Sequence, residues 1–228
     1  DYYRGTCYYA KELLKSELPE GKQYFLENLG ANASADVYMN GAKLNHHDGG
    51  YSTWRTELTD ALTEEKNLLV IAVDNSANDK VYPQNADFTF YGGLYRDVNL
   101  IAVEKSHFDL SYYGGNGLKI TPEVEGADAK IDLEIFAKHT TEKQELLYQI
   151  CDADGNVVAE TKMTAADHQK VTLAIPQVHL WNGTKDPYLY TAQVTLAAGD
   201  QEIDRVQERF GCRTFSIDPE KGFFLNGK

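Results

Sequence analysis

No stretch of the 228-residue sequence approaches eighteen consecutive apolar residues, so no membrane-spanning helix is expected. A basic block is missing as well: 22 Lys and Arg face 35 Asp and Glu, for a net charge of −13. Nucleic acids and anionic membrane surfaces both call for clustered positive charge, so neither is an expected partner. Cysteine is scarce. Cys7, Cys151 and Cys212 lie far apart and make no CxxC or Cys/His spacing, which argues against zinc. One disulfide could be drawn among them, but three buried free thiols is the simpler expectation. No secretory leader is readable, and a chain beginning at Asp1 is expected of a processed or excised start. Internal repeats, low-complexity tracts and long amphipathic helices are not found either.

What is present is aromatic and strand-like. With 42% hydrophobic residues the chain can bury a core in one large or two ordinary domains. Thr6–Leu13 and Lys22–Leu29 read as strands separated by the turn Pro19-Glu-Gly21. Ala35–Gly41 runs into Asn40-Gly41, the strongest short hairpin signal, and Lys43-Leu44 resumes the partner strand up to the glycine bend at 48–51. Leu68–Asp74 is apolar nearly throughout and reads as a strand buried on both faces. Asn75–Ala86 is a polar loop long enough to suggest function or mobility. Beyond residue 103 come short strands at regular spacing, among them Phe108–Tyr112, Gly117–Val124, the cleanly alternating Ile131–Ile135, and a hairpin turning at Asp154-Gly155. Thr141–Leu147 opens like a helix cap but lies between strands, so it reads as loop into strand. The pattern predicts an all-β chain of two antiparallel sandwiches in series.

One stretch gathers chemistry. Asp87-Phe-Thr-Phe-Tyr-Gly-Gly-Leu-Tyr-Arg-Asp-Val98 joins acids, aromatics and a glycine pair ahead of the strand Val98–Val103. Flat apolar rings beside a carboxylate suit a sugar site. The same residues also suit the corner of a sandwich, with Tyr91 and Tyr95 in the core or at its rim and Gly92-Gly93 turning the chain. Arg96 and Asp97 are strand neighbours facing opposite ways, so they are not expected to pair with each other. An ion pair, or a stem packed across an aromatic ring, is expected for Arg96. His46-His47 with Asp48 looks metal-like, but adjacent strand residues cannot easily share one ion. Tyr51 and Trp54 read as core filling ahead of a sugar platform. Phe223-Phe-Leu-Asn-Gly-Lys228 is a strand followed by hairpin residues with no second strand, as expected of an interrupted chain.

These motifs, in order, carry a resemblance: Val37–Gly41, His47–Tyr51, Asn67–Asn75, Tyr91–Val98, Leu180-Trp-Asn182, Asp186-Pro-Tyr-Leu-Tyr190, Phe210-Gly-Cys-Arg-Thr214 and Phe223–Lys228. Over essentially its whole length the chain resembles the N-terminal accessory domains of glycoside hydrolase family two, closest to its β-galactosidases, with a β-glucuronidase or β-mannosidase relative the alternative within the family and a stand-alone carbohydrate-binding or adhesion module the alternative outside it. The resemblance implies a jelly-roll (galactose-binding-like) domain over 1–104, N-terminally incomplete, an immunoglobulin-like sandwich over 105–215, and the start of a catalytic TIM barrel over 216–228. The family's two catalytic glutamates belong to that barrel, no residue here matches them, and the chain alone is expected to be inactive. The implied partners are its own C-terminal barrel, a β-galactoside substrate in the longer enzyme and further copies in a homo-oligomer. The setting implied is periplasmic or secreted bacterial, with cytoplasmic the alternative. The resemblance implies no cofactor in this chain, with sodium or magnesium in the longer enzyme. Asp87 is the one implied site residue, contacting galactose hydroxyls or a sodium ion at the barrel mouth; a loop Asp capping a turn is the other reading. Gly92, Gly93, Tyr95, Arg96 and Asp97 are implied to be structural.

Overall fold

Strand periodicity carries through to the computed structural model, which describes residues 3–82, 86–87 and 89–228. Among these residues the chain is all-β apart from the short 3-10 turns Lys15–Glu17 and Thr59–Ala61. It forms two units, one of Asp1–Lys105 with Leu110–Gly115 and one of Ser106–Asp109 with Asn116–Lys228.

The first unit contains β1 (Thr6–Leu14), β2 (Gln23–Asn28), β3 (Ala31–Asn32), β4 (Ser34–Met39), β5 (Ala42–Asp48), β6 (Trp54–Glu57), β7 (Lys66–Asp74), β8 (Gly93–Leu94) and β9 (Val98–Val103). One sheet runs β1-β7-β4-β5, another runs β6-β2-β9, and β3 pairs with β8. Period-two alternation sends Ala35, Val37 and Met39 of β4 inward. There they meet Leu69, Ile71 and Val73 of β7, Tyr24 and Leu26 of β2, and Trp54 of β6. Each fully buried Val, Leu, Ile or Met side chain among them contributes about 1.5–3 kcal/mol. Asn40 and Gly41 take φ of 51° and 84°, the doubly positive geometry of the hairpin turn that joins β4 to β5. The result is the jelly-roll sandwich.

The second unit contains β10 (His107–Phe108), β11 (Leu118–Glu125), β12 (Asp128–Lys138), β13 (Glu145–Cys151), β14 (Val157–Thr164), β15 (His168–Ile175), β16 (Tyr190–Ala198), β17 (Gln201–Phe210), β18 (Phe215–Asp218) and β19 (Gly222–Leu225). β12 is flanked by β11 and β15 and touched by β10, while a second sheet runs β14-β13-β16-β17. Ile131, Leu133 and Ile135 of β12 pack in one core with Leu146, Tyr148 and Ile150 of β13 and Ala192, Val194 and Leu196 of β16. All nine are fully buried. This is the immunoglobulin-like sandwich.

Four expectations need correction. Leu68–Asp74 is not buried on both faces: Leu68 is 51% exposed, and only the later part of β7 is covered throughout. Phe108–Tyr112 is no strand beyond Phe108, because Leu110–Gly115 returns to the first unit. Phe223–Leu225 is not left unpaired, because its partner lies upstream. β18 and β19 form a hairpin, and Asn226-Gly227 completes a further tight turn closed by reciprocal bonds between Leu225 and Lys228. Asn226 ties that turn down, accepting from the Thr214 N–H at 2.9 Å and donating to the Trp181 carbonyl at 3.0 Å.

The thiols are the fourth. Cys7 is exposed, Cys151 half-buried and Cys212 buried, all of them free. Cys7 lies on β1, which ends its sheet and is exposed from Cys7 to Glu12, so no second layer covers it. Burial pushes the Cys212 thiol up to about 11, which removes the reactive thiolate at neutral pH. A thiol-specific chromophore should therefore titrate Cys7 first and Cys151 more slowly in native protein, reaching Cys212 only on unfolding. Immediate release of three equivalents by native protein would contradict this packing.

Candidate functional site

Asp87 sits in a bend on the surface, exposed and without a hydrogen bond or ion pair among the described residues. Its neighbour Phe88 lies outside the described residues. From Tyr91 onward the chain is tied down residue by residue. The Asn32 amide donates to the Tyr91 carbonyl at 2.7 Å, and Asn75 packs where a Gly92 Cβ would stand. Gly93 has φ +82°, which favours glycine, and a Cβ there would also press on the Tyr9 hydroxyl. The same hydroxyl accepts from the Leu94 N–H at 3.3 Å. Tyr95 donates its hydroxyl to the Gly50 carbonyl, and burial raises that phenol above its ordinary value.

Among the described residues Arg96 makes no ion pair. Its guanidinium donates to the carbonyls of Leu29 at 3.2 Å and Tyr51 at 2.9 Å and lies 5.2 Å from the centre of the Tyr95 ring. The aromatic half of the expectation holds, and carbonyls replace the acid. The Asp97 carbonyl accepts from Leu29 N–H at 3.0 Å, handing the chain to β9 in register with β2. Gly92, Gly93, Tyr95, Arg96 and Asp97 thus form a braced rail. Asp87 stands free at its head, with Tyr91 70% exposed beside it in sequence.

The doubtful histidines separate as their alternation predicts. His46 Nδ1 lies 2.6 Å from Asp36 and Nε2 lies 3.2 Å from Asp48. The bond to Asp36, helped by Asp48, raises the imidazole above its ordinary value although burial opposes it. His47 turns the other way and stacks on Trp54 at 5.0 Å, where burial lowers it. Trp54 is core and Tyr51 is half open, in edge contact with Tyr95. Trp181 carries the Arg213 guanidinium at 4.9 Å, and Tyr188 stacks on His179 at 3.9 Å. Among the described residues no group of three His, Cys, Asp and Glu is gathered as a metal would require.

Sequence reasoning missed a second brace in the first unit. Arg55 places Nε 2.8 Å and an Nη 2.7 Å from Glu27 Oε2, and its other Nη donates to the carbonyls of Leu110 at 3.0 Å and of Gly115. Carbonyl recognition leaves no residue signature at 110 or 115. The only available signal was a lone Arg on the short strand Trp54–Glu57.

Comparison with known proteins places this architecture. Residues 2–104 match the profile described as "Glycosyl hydrolases family 2, sugar binding domain", and residues 116–213 match "Glycosyl hydrolases family 2". A β-glucuronidase of Bacteroides fragilis is 34% identical over 239 residues, spanning 100% of this chain and 34% of that protein. A β-galactosidase of Bacteroides ovatus is 30% identical over 237 residues, spanning 98% of this chain and 26% of its own length. Among solved structures, a Bacteroides uniformis β-glucuronidase superimposes with a TM-score of 0.87 at 33% identity, covering 100% of this chain and 29% of the other. The chain spans a quarter to a third of the curated relatives it matches. With both sandwiches matched in order and similarity extending along the whole chain, the protein belongs to glycosyl hydrolases family 2.

Proposed function

We propose that this chain is the non-catalytic sandwich portion of a retaining β-glycosidase, in which it braces a catalytic barrel, contributes oligomer contacts and lends Asp87 to the rim of the active site. The supporting observation is similarity along the full chain to glycosidases of which it spans about a third. A β-glucuronidase is the first reading of the whole enzyme, because relatives of that name match at 34% identity and a structure of that name at 33%. A β-galactosidase is the second, favoured by the relative at 30% and by the placement of an acid at Asp87. The two carboxyls that retaining hydrolysis sets about 5–5.5 Å apart come from the barrel in either case.

The free carboxylate of Asp87 can accept two sugar hydroxyls at no cost to the fold, since it holds nothing else in place. In the longer enzyme, Asp87→Ala should lower kcat/KM about 10–100-fold, the worth of hydrogen bonds to a charged group. The melting temperature should stay nearly unchanged. A large fall in melting temperature with normal kinetics would return Asp87 to a turn cap. The parent reading is tested by assaying nitrophenyl β-glucuronide and β-galactoside with the longer gene product and with the 228-residue chain. Turnover by the first and none by the second is expected. Hydrolysis by the chain alone, or a gene without a barrel-sized continuation, would overturn it and favour a stand-alone carbohydrate-binding or adhesion module.

A further inference from the structure

Four Asn-Gly pairs occur in the sequence, at 40–41, 116–117, 182–183 and 226–227. Such a pair is chemically labile, because glycine has no Cβ to shield its backbone nitrogen from the asparagine side chain before it. Attack of that nitrogen on the side-chain carbonyl carbon needs the amide to swing back over the chain. Hydrogen bonds that hold the amide in place therefore slow the reaction. The fold does not hold the four amides alike.

Three of them are engaged through both oxygen and nitrogen. Asn40 accepts from the Leu68 N–H at 2.9 Å and donates to the Asn67 side-chain oxygen at 2.9 Å. Asn116 accepts from the Leu118 N–H at 3.2 Å and donates to Glu208 at 2.6 Å. Asn226 accepts from the Thr214 N–H and donates to the Trp181 carbonyl. Asn182 differs. Its backbone N–H donates to the Asp186 carbonyl at 2.7 Å, closing a surface turn, but its exposed side chain has no hydrogen-bond partner among the described residues. Gly183 follows with φ +64°, and nothing lies within 4 Å of the position a Cβ would take, so the turn has room to change shape.

We infer that Asn182 is a site of spontaneous deamidation in the native protein, while hydrogen bonds protect the other three Asn-Gly pairs. The Gly183 nitrogen gives its proton to solvent base and bonds to the Asn182 side-chain carbon. The bond from that carbon to Nδ2 breaks and ammonia leaves, closing a succinimide ring. Water then opens the ring at either carbonyl. One opening gives aspartate. The other gives isoaspartate, in which the main chain runs through the former side chain. No oxidant or reductant is involved. Both products place a new carboxylate in the turn that Asp186 closes. The inference does not depend on which glycoside the longer protein cleaves.

Incubation of the 228-residue chain at mildly alkaline pH, followed by peptide mapping with mass spectrometry, tests it. In folded protein Asn182 should convert at least about tenfold faster than Asn40, Asn116 or Asn226, since two hydrogen bonds must break at each of those before the side chain can swing. In urea-unfolded chain the four sites should convert at similar rates, because only the local sequence then matters. Asn182→Gln, whose longer side chain closes the ring far more slowly, should remove the native-state conversion and leave the other sites unchanged. Glu208→Ala, which frees the Asn116 amide, should raise conversion at Asn116 and not at Asn182. The inference fails if folded protein converts Asn182 no faster than the other three, or if unfolding accelerates Asn182 as much as it accelerates them.

Discussion

Arg55→Ala should destabilise the first unit by about 3–5 kcal/mol, the usual cost of stripping one partner from a buried ion pair. Arg55 and Glu27 have side chains only 10% and 14% exposed. Without the guanidinium, the Glu27 carboxylate would keep a single described donor, the Asn99 amide at 3.2 Å. The carbonyls of Leu110 and Gly115 would lose their donor at the same time. Urea denaturation measures the loss directly. A double variant, Arg55→Met with Glu27→Leu, apportions it, because matched apolar replacement of a buried pair is often close to neutral. That variant should recover most of the stability, and the residue of the loss belongs to the two loop carbonyls. A single-variant effect below about 1 kcal/mol would show the pair behaving as a surface bridge.

Gly114→Ala is expected to cost about 2–5 kcal/mol, combining the left-handed backbone penalty with overpacking. Gly114 has φ +69°, and a Cβ there would overlap the Thr53 carbonyl, a backbone atom with no freedom to swing away. Gly126, in the turn between β11 and β12, isolates the two causes: its φ is +63°, yet nothing lies within 4 Å of its Cβ position. Gly126→Ala should therefore show the backbone penalty alone, about 1–2 kcal/mol. Equal losses for the two variants in parallel denaturation curves would mean that the loop relaxes away from Thr53.

Both variants address contacts that the sequence hardly announces, whereas most of the fold is announced plainly. Alternation in Ile131–Ile135 and Ala35–Met39, together with the Asn40-Gly41 turn, follows from side-chain period and backbone sterics, which are local. The misreadings concern what lies beyond the strand. Whether Leu68 or Cys7 is covered depends on which face of the sheet another layer packs against, and that is decided by contacts over long separations. The return of Leu110–Gly115 to the first unit rests on Arg55 binding backbone carbonyls that every residue type carries. The rail from Tyr91 to Asp97 shows the same limit. Its glycines were legible as close-approach positions, but the Asn32 and Asn75 amides that hold it were not.

Within eleven residues the chain passes from the first unit to the second, back, and over again, at 105/106, 109/110 and 115/116. The junction is thus a stitch, and no single peptide bond divides the two sandwiches cleanly. Cutting before Ser106 leaves the jelly roll without the segment that Arg55 holds, and cutting after Gly115 leaves the other sandwich without β10. Gene shuffling that exchanges either sandwich would have to carry the whole stitch with it. These two modules are best engineered as a pair.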